Sequence, residues 1–167
     1  MSKIQVKVCL LGDFAVGKTS MVRRFVEGRF DDKYLSSIGV KISRKVFDYG
    51  DRQLNLLLWD LAGGESFIKF QASYLRGASG AMIVCDLSRH ETLGHLAEYA
   101  QQLRSANTRA AILFVGNKVD LDTREISDKD LQDISGAFES AFLLTSAKTG
   151  QQVEAAFQIL AGQICQR

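Results

Sequence analysis

The stretch that most constrains this chain is GDFAVGKT, residues 12–19. It follows an apolar, strand-like run (IQVKVCLL, 4–11) and opens a helical one (GKTSMVRRFVEG, 17–28). Gly12 and Gly17 permit a tight backbone wrap whose N–H groups turn inward toward phosphate oxygens. Lys18 brings charge to the terminal phosphates, and the Thr19 hydroxyl suits Mg2+. The helix that follows adds a favourable dipole for an anion at its N-terminus. The strand before and the helix after make this loop a site for a nucleoside triphosphate.

The rest of the chain repeats the alternation. Strand-like runs fall at 41–48, 53–59, 81–87, 110–116 and 141–146, and helical stretches at 66–77, 91–106, 128–138 and 153–167. DYGDR at 48–52 reads as a hairpin turn that pairs the second and third strands antiparallel. With no proline in the chain, turns fall to Gly, Asn, Asp and Ser. The pattern predicts an α/β fold: a mostly parallel sheet with one antiparallel strand and helices on both faces. No repeat, low-complexity stretch or linker interrupts it, so residues 1–167 are expected to form a single domain. In such sheets ligands bind beyond the carboxyl ends of the strands.

Composition excludes several functions. A formal net charge of +2, scattered along the chain, argues against a nucleic-acid partner. Cys9, Cys85 and Cys165 lie far apart, the first two inside apolar runs, which suits buried reduced thiols and a cytoplasmic setting. The N-terminus does not read as a signal peptide, and no apolar run approaches membrane-spanning length. The end, QICQR, makes neither a C-a-a-X box nor a double-cysteine end, so no membrane anchor is expected in this chain.

Two further strand ends choose the nucleotide. In NKVD (117–120), the Asp120 carboxylate can accept from both guanine N1–H and N2–H2, a donor pair that adenine lacks. Asn117 can bond the other edge of the base and tie this loop to residues 12–19, while the stem of Lys118 covers the ring. TSAKTG (145–150) places the Ala147 N–H where a guanine carbonyl could sit.

Taken in order, GDFAVGKT, SIGV, WDLAGGE, NKVD and TSAK resemble a small GTPase of the Ras superfamily across essentially the whole chain. SIGVKI and WDLAGGESF…SYLRGASG are most similar to the Rab-like branch. The resemblance implies a P-loop NTPase fold with a six-stranded sheet and five helices, GTP/GDP binding with Mg2+, and two switch segments that read the γ-phosphate. It implies nucleotide contacts along Phe14, Ala15, Val16, Gly17, Lys18, Thr19 and Ser20, from Phe30, Tyr34 and Ser37, and from Gly63. On the base side it implies Asn117, Lys118, Asp120, Ser146, Ala147 and Lys148. Thr19, Ser37 and Asp60 are the implied metal ligands. Lys18, Gly63 and the residue at 64 are the implied catalytic positions. It also implies effector proteins, an exchange factor and a GTPase-activating protein as partners, with Ile42, Trp59 and Tyr74 as a candidate effector surface.

The departures bear on mechanism. Relatives usually carry glutamine, which orients the attacking water, where this chain has Gly64. They carry a small residue at the third place of the phosphate loop, here Phe14. Switch I normally reads P-T-I-G, here Ser36-Ser37-Ile38-Gly39: the metal-binding hydroxyl is kept and the proline lost. The expected function is a switch cycling between GTP and GDP with slow intrinsic hydrolysis. The alternative is a GTP-binding module with negligible hydrolysis, controlled by nucleotide exchange. A P-loop kinase would leave NKVD and TSAK idle. His90, His95 and the pair Arg23 and Arg24 read as solvated residues, and Trp59 fits core packing nearly as well as an exposed patch.

Overall fold

In the computed structural model, residues 2–28, 40–64 and 72–166 are described. Six strands form one sheet: β1 (Ser2–Gly12), β2 (Val40–Tyr49), β3 (Arg52–Leu61), β4 (Gly80–Asp86), β5 (Ala111–Asn117) and β6 (Ala141–Leu144). Their order is β2-β3-β1-β4-β5-β6. The β2–β3 pair is antiparallel and every other pairing is parallel. Among the described residues four α-helices pack on it: α1 (Lys18–Glu27), α2 (Leu96–Ala106), α3 (Asp128–Ala137) and α4 (Val153–Cys165). The expected sheet is present, including the tight hairpin, in which Tyr49 pairs with Arg52 across Gly50 and Asp51.

Alternation along the strands sends side chains into two cores. Val6, Val8 and Leu10 of β1, with Leu113 and Val115 of β5, face Met21 and Val22 of α1 and Phe157 and Leu160 of α4. Cys9, Leu11, Ile83, Cys85 and Phe114 face Leu96, Tyr99 and Leu103 of α2 and Leu131 of α3. Phe25 of α1 stacks on Phe157 of α4 at 4.1 Å between ring centres, fixing the two helices side by side. β4 and β5 are buried along their whole length, as central parallel strands covered on both faces must be.

Three elements differ from the sequence expectation. The helix expected from 91 begins at Leu96. Residues 86–92 are wound instead into a compact turn, with the Thr92 hydroxyl accepting the Asp86 N–H at 3.0 Å and donating to the Arg89 carbonyl at 2.8 Å. β6 stops at Leu144 because Thr145 and Ser146 turn their hydroxyls toward the loop after β5. Of the helix expected over 66–77, residues 66–71 lie outside the described residues, and Ala72–Leu75 form one turn of 3-10 helix.

Candidate nucleotide site

The loop after β1 wraps as its glycines allow. Gly12 (φ 148) passes so close to β4 that a Cβ there would stand 2.3 Å from the Val84 carbonyl oxygen, and a Cβ on Gly17 (φ 107) would stand 2.2 Å from the Asn117 amide nitrogen. Ala15 sits at φ 64, a conformation uncommon for a residue with a Cβ. Gly17 precedes α1 and supplies no side-chain cap, so the first N–H groups of the helix remain for an anion. Lys18 is buried and donates to the Gly12 and Asp13 carbonyls at 2.8 and 2.9 Å. Burial pushes its ammonium down to about 8, against the pull of the Asp60 and Asp13 carboxylates.

Two of the expected metal ligands meet. The Thr19 hydroxyl donates to Asp60 Oδ2 at 2.5 Å, joining the first turn of α1 to the end of β3. Hard oxygen donors at a phosphate loop fit Mg2+, which takes one or two protein oxygens and completes its shell with water and phosphate. The third expected ligand, Ser37, lies outside the described residues, as do Phe30 and Tyr34.

Beyond Asp60 the chain closes on the phosphate loop. A Cβ on Gly63 would stand 2.1 Å from the Gly12 carbonyl oxygen and 2.7 Å from the Asp13 carbonyl carbon, so glycine is required for this approach. At Gly64 the space beside Cα is open, but φ is +89. The Gly64 N–H donates to the Tyr99 hydroxyl at 2.9 Å, and that hydroxyl donates to Asp13 Oδ1 at 2.8 Å. His95 Nδ1 lies 2.6 Å from Asp13 Oδ2, so this histidine is part of the site's wall although its other side meets solvent. Asp13, Phe14, Gly64, Arg89, Glu91, Thr92 and His95 line a cavity of about 280 Å3, and Phe14 is 53% exposed.

The base side is joined to the phosphate side through Asn117. Its Nδ2 donates to the Val16 carbonyl at 2.9 Å, and its Oδ1 accepts the Thr145 hydroxyl and the Ala147 N–H, each at 3.1 Å. The Ala147 N–H thus already has a partner in Asn117. Asp120 Oδ1 accepts the Ser146 hydroxyl at 2.7 Å. Lys118, at φ 71, donates to the Ala15 carbonyl at 3.1 Å and pairs with Asp86 Oδ2 at 2.9 Å.

Asp86, Arg89 and Tyr99 are not singled out by the sequence, and Arg24 reads there as solvated. The buried Asp86 carboxylate binds Arg89 Nε at 3.0 Å as well as Lys118, and Arg89 Nη2 donates to the Phe14 carbonyl at 2.7 Å. Burial would raise the Asp86 carboxyl, yet hydrogen bonds from Lys118 and Ser88 hold it below the usual carboxylate range. Arg24 is not a wet-face residue: its guanidinium reaches the loop after β6. Arg23 is half-buried, with its Nε 3.8 Å from Glu27 Oε2.

What converges beyond the carboxyl ends of β1, β3, β5 and β6 is the apparatus of a P-loop nucleotide-binding protein. The sequence profile of the Ras family matches residues 7–166. The Ras-related protein Rab-22A of Mus musculus, of Canis lupus familiaris and of Homo sapiens is in each case 36% identical over 159 residues, 94% of this chain and 82% of the relative. The chain belongs to the Ras family: it is a Rab-like small GTPase, a GTP-binding molecular switch. No described helix is long and apolar enough to cross a membrane.

Proposed function

We propose that the protein binds GTP and GDP with Mg2+ at this site, hydrolyses GTP slowly by itself, and is reset by an exchange factor and a GTPase-activating protein in the cytoplasm. The observation that carries the reading is the Asn117 side chain, which bonds residues 16, 145 and 147 at once and so holds phosphate loop and base loop in one frame. Within that frame Lys18 neutralises terminal phosphate charge, and Thr19 and Asp60 hold the metal, with Ser37 the third ligand. Bound Mg2+ would supply charge stabilisation to the phosphate oxygens as the terminal bond breaks. The Gly63 N–H contacts the γ-phosphate, and Gly64 offers no side chain to hold the attacking water.

Asp120→Asn tests the base assignment. An amide would set an N–H against an N–H of guanine, and the buried mismatch costs about 2–4 kcal/mol. GDP affinity should therefore fall at least ~30-fold. Affinity within threefold of the wild type would remove the guanine assignment.

The open space at Gly64 favours a second reading, a module with negligible hydrolysis governed by exchange. Single-turnover hydrolysis with and without cell extract separates the two: acceleration by extract supports the hydrolysing switch, and no turnover in either supports the second. For effectors, Ile42 and Tyr74 are exposed, and the half-buried Trp59 ring lies 6.3 Å from that of Tyr74 under the Lys7 ammonium. This apolar patch is where an effector would dock.

A further inference from the structure

Arg24 lies in the last turn of α1, where a cation is commonly explained by the helix dipole alone. Its side chain does more than sit there. Nε donates to the Ala147 carbonyl at 3.0 Å, Nη2 to the Lys148 carbonyl at 2.5 Å, and Nη1 to the Gly28 carbonyl at 3.4 Å. Two successive carbonyls of one loop are thus held by one planar fork, a geometry that a lysine ammonium cannot reproduce. The loop also closes over the arginine: a Cβ on Gly150, which has φ +88, would stand 3.6 Å from Arg24 Cδ and Nε.

This loop faces the base. Ala147 is gripped from both sides, its carbonyl by Arg24 and its N–H by Asn117. One residue earlier, Ser146 donates its hydroxyl to Asp120 and accepts the Thr149 N–H, while its carbonyl accepts the Gly150 N–H. Whatever fixes residues 147–150 therefore fixes Ser146, and through Ser146 the carboxylate that reads guanine. The helix that carries Arg24 begins with Lys18 and Thr19, so one rigid element sets both ends of the nucleotide.

We infer that Arg24 is a specificity-determining positioning residue: by clamping the Ala147 and Lys148 carbonyls it holds Asp120 in the orientation that distinguishes guanine from bases lacking the 2-amino group. The inference rests on the guanine reading above. Discrimination by hydrogen bonding requires a slot that cannot relax around the wrong base. A loop released from Arg24 can relax, and Asp120 can then turn to water when the 2-amino group is missing.

The test compares GDP with inosine diphosphate, which lacks only that amino group, on the wild-type chain and on Arg24→Met and Arg24→Lys. GDP affinity should fall about 10-fold in Arg24→Met, in line with loss of charge-assisted hydrogen bonds. The preference for GDP over inosine diphosphate should shrink about fivefold, while the GTP-to-GDP ratio stays within about twofold. Arg24→Lys keeps the charge and should lose most of the same preference, which a dipole role would leave intact. An undiminished preference for GDP in Arg24→Lys, or a uniform fall for every nucleotide in Arg24→Met, overturns the inference. A wild type with no preference for GDP overturns the guanine reading itself, and the inference with it.

Discussion

The Gly64 N–H is bound to the Tyr99 hydroxyl, so the turn after β3 is fastened to α2 by its backbone and not by a side chain of its own. The same hydroxyl donates to Asp13 of the phosphate loop. One buried phenol thereby links the turn after β3 to the phosphate loop.

Tyr99→Phe keeps the ring in its core and deletes only this link. Two polar groups lose a partner, a loss of about 1–2 kcal/mol. For a domain of this size the GDP-bound protein should melt about 3–6 °C lower. Thermal unfolding at fixed nucleotide concentration measures it. An unchanged melting temperature would mean that water replaces the hydroxyl at no cost.

Alkaline pH should weaken the fold. Burial raises the Cys9 and Cys85 thiols from 9.0 to about 12, and raises the Tyr99 phenol above its usual 10.0. All three are neutral when protonated. Between pH 9 and 12 the folded state therefore keeps protons on the thiols that the unfolded chain releases, and the phenol joins above pH 10. Stability is full below pH 9 and falls as pH rises, each group contributing up to about 1.4 kcal/mol per pH unit. Lys18, held near 8, opposes part of this between pH 8 and 10.5. Urea unfolding at pH 7.5 and at pH 10.5 should show the net decline. A Cys9→Ala/Cys85→Ala variant, less stable at neutral pH, should lose the decline altogether, because Lys18 then outweighs the phenol over this range.

Asp86 supports the phosphate loop from beneath. It holds Arg89 and Lys118, whose other hydrogen bonds go to the consecutive carbonyls of Phe14 and Ala15. Asp86→Asn removes the shared charge from two cations that are each 35% exposed, so solvent screens part of the loss, which comes to about 1–2 kcal/mol. With the loop less constrained, both GDP and GTP should dissociate about 10-fold faster or more, measured by release of a fluorescent nucleotide. Unchanged release rates would mean that Arg89 and Lys118 hold the loop without help.

The legible parts of this protein are those whose chemistry is local. Gly12, Gly17, Lys18 and Thr19 announce a phosphate loop because they lie within eight residues and follow a strand, and Asn117 and Asp120 announce a base site for the same reason. The β2–β3 hairpin was legible because its turn and both strands are contiguous. Arg24 was not: its loop partners lie 123 and 124 residues away, and on an amphipathic helix an arginine at the edge of the polar face carries no mark of which way it turns. His95 and Tyr99 meet Asp13 across 82 and 86 residues, and Asp86 reads as the ordinary end of an apolar strand. Such contacts exist only after the sheet has brought its strand ends together.

The last prediction concerns hydrolysis at Gly64. The space beside Gly64 is open, so a glutamine side chain has somewhere to go, but its backbone at φ +89 strains any residue with a Cβ. Phe14 lines the same cavity as Gly64, and its side chain is exposed. Restoring glutamine alone therefore adds an amide carried on a strained backbone, in a cavity it shares with Phe14. Removing Phe14 alone clears room with nothing to fill it. Gly64→Gln and Phe14→Gly should each raise single-turnover hydrolysis little, and the double variant should exceed the product of the two gains. Groups that act as a unit behave in this way, with a coupling of about 1 kcal/mol for neighbouring sites. Four single-turnover rates under identical Mg2+ and nucleotide conditions decide it. Brisk hydrolysis by Gly64→Gln alone would show that Phe14 is no obstacle. Brisk hydrolysis by the wild type would show that another group holds the water, and the cavity wall formed by Asp13, Arg89 and His95 would be the place to look for it.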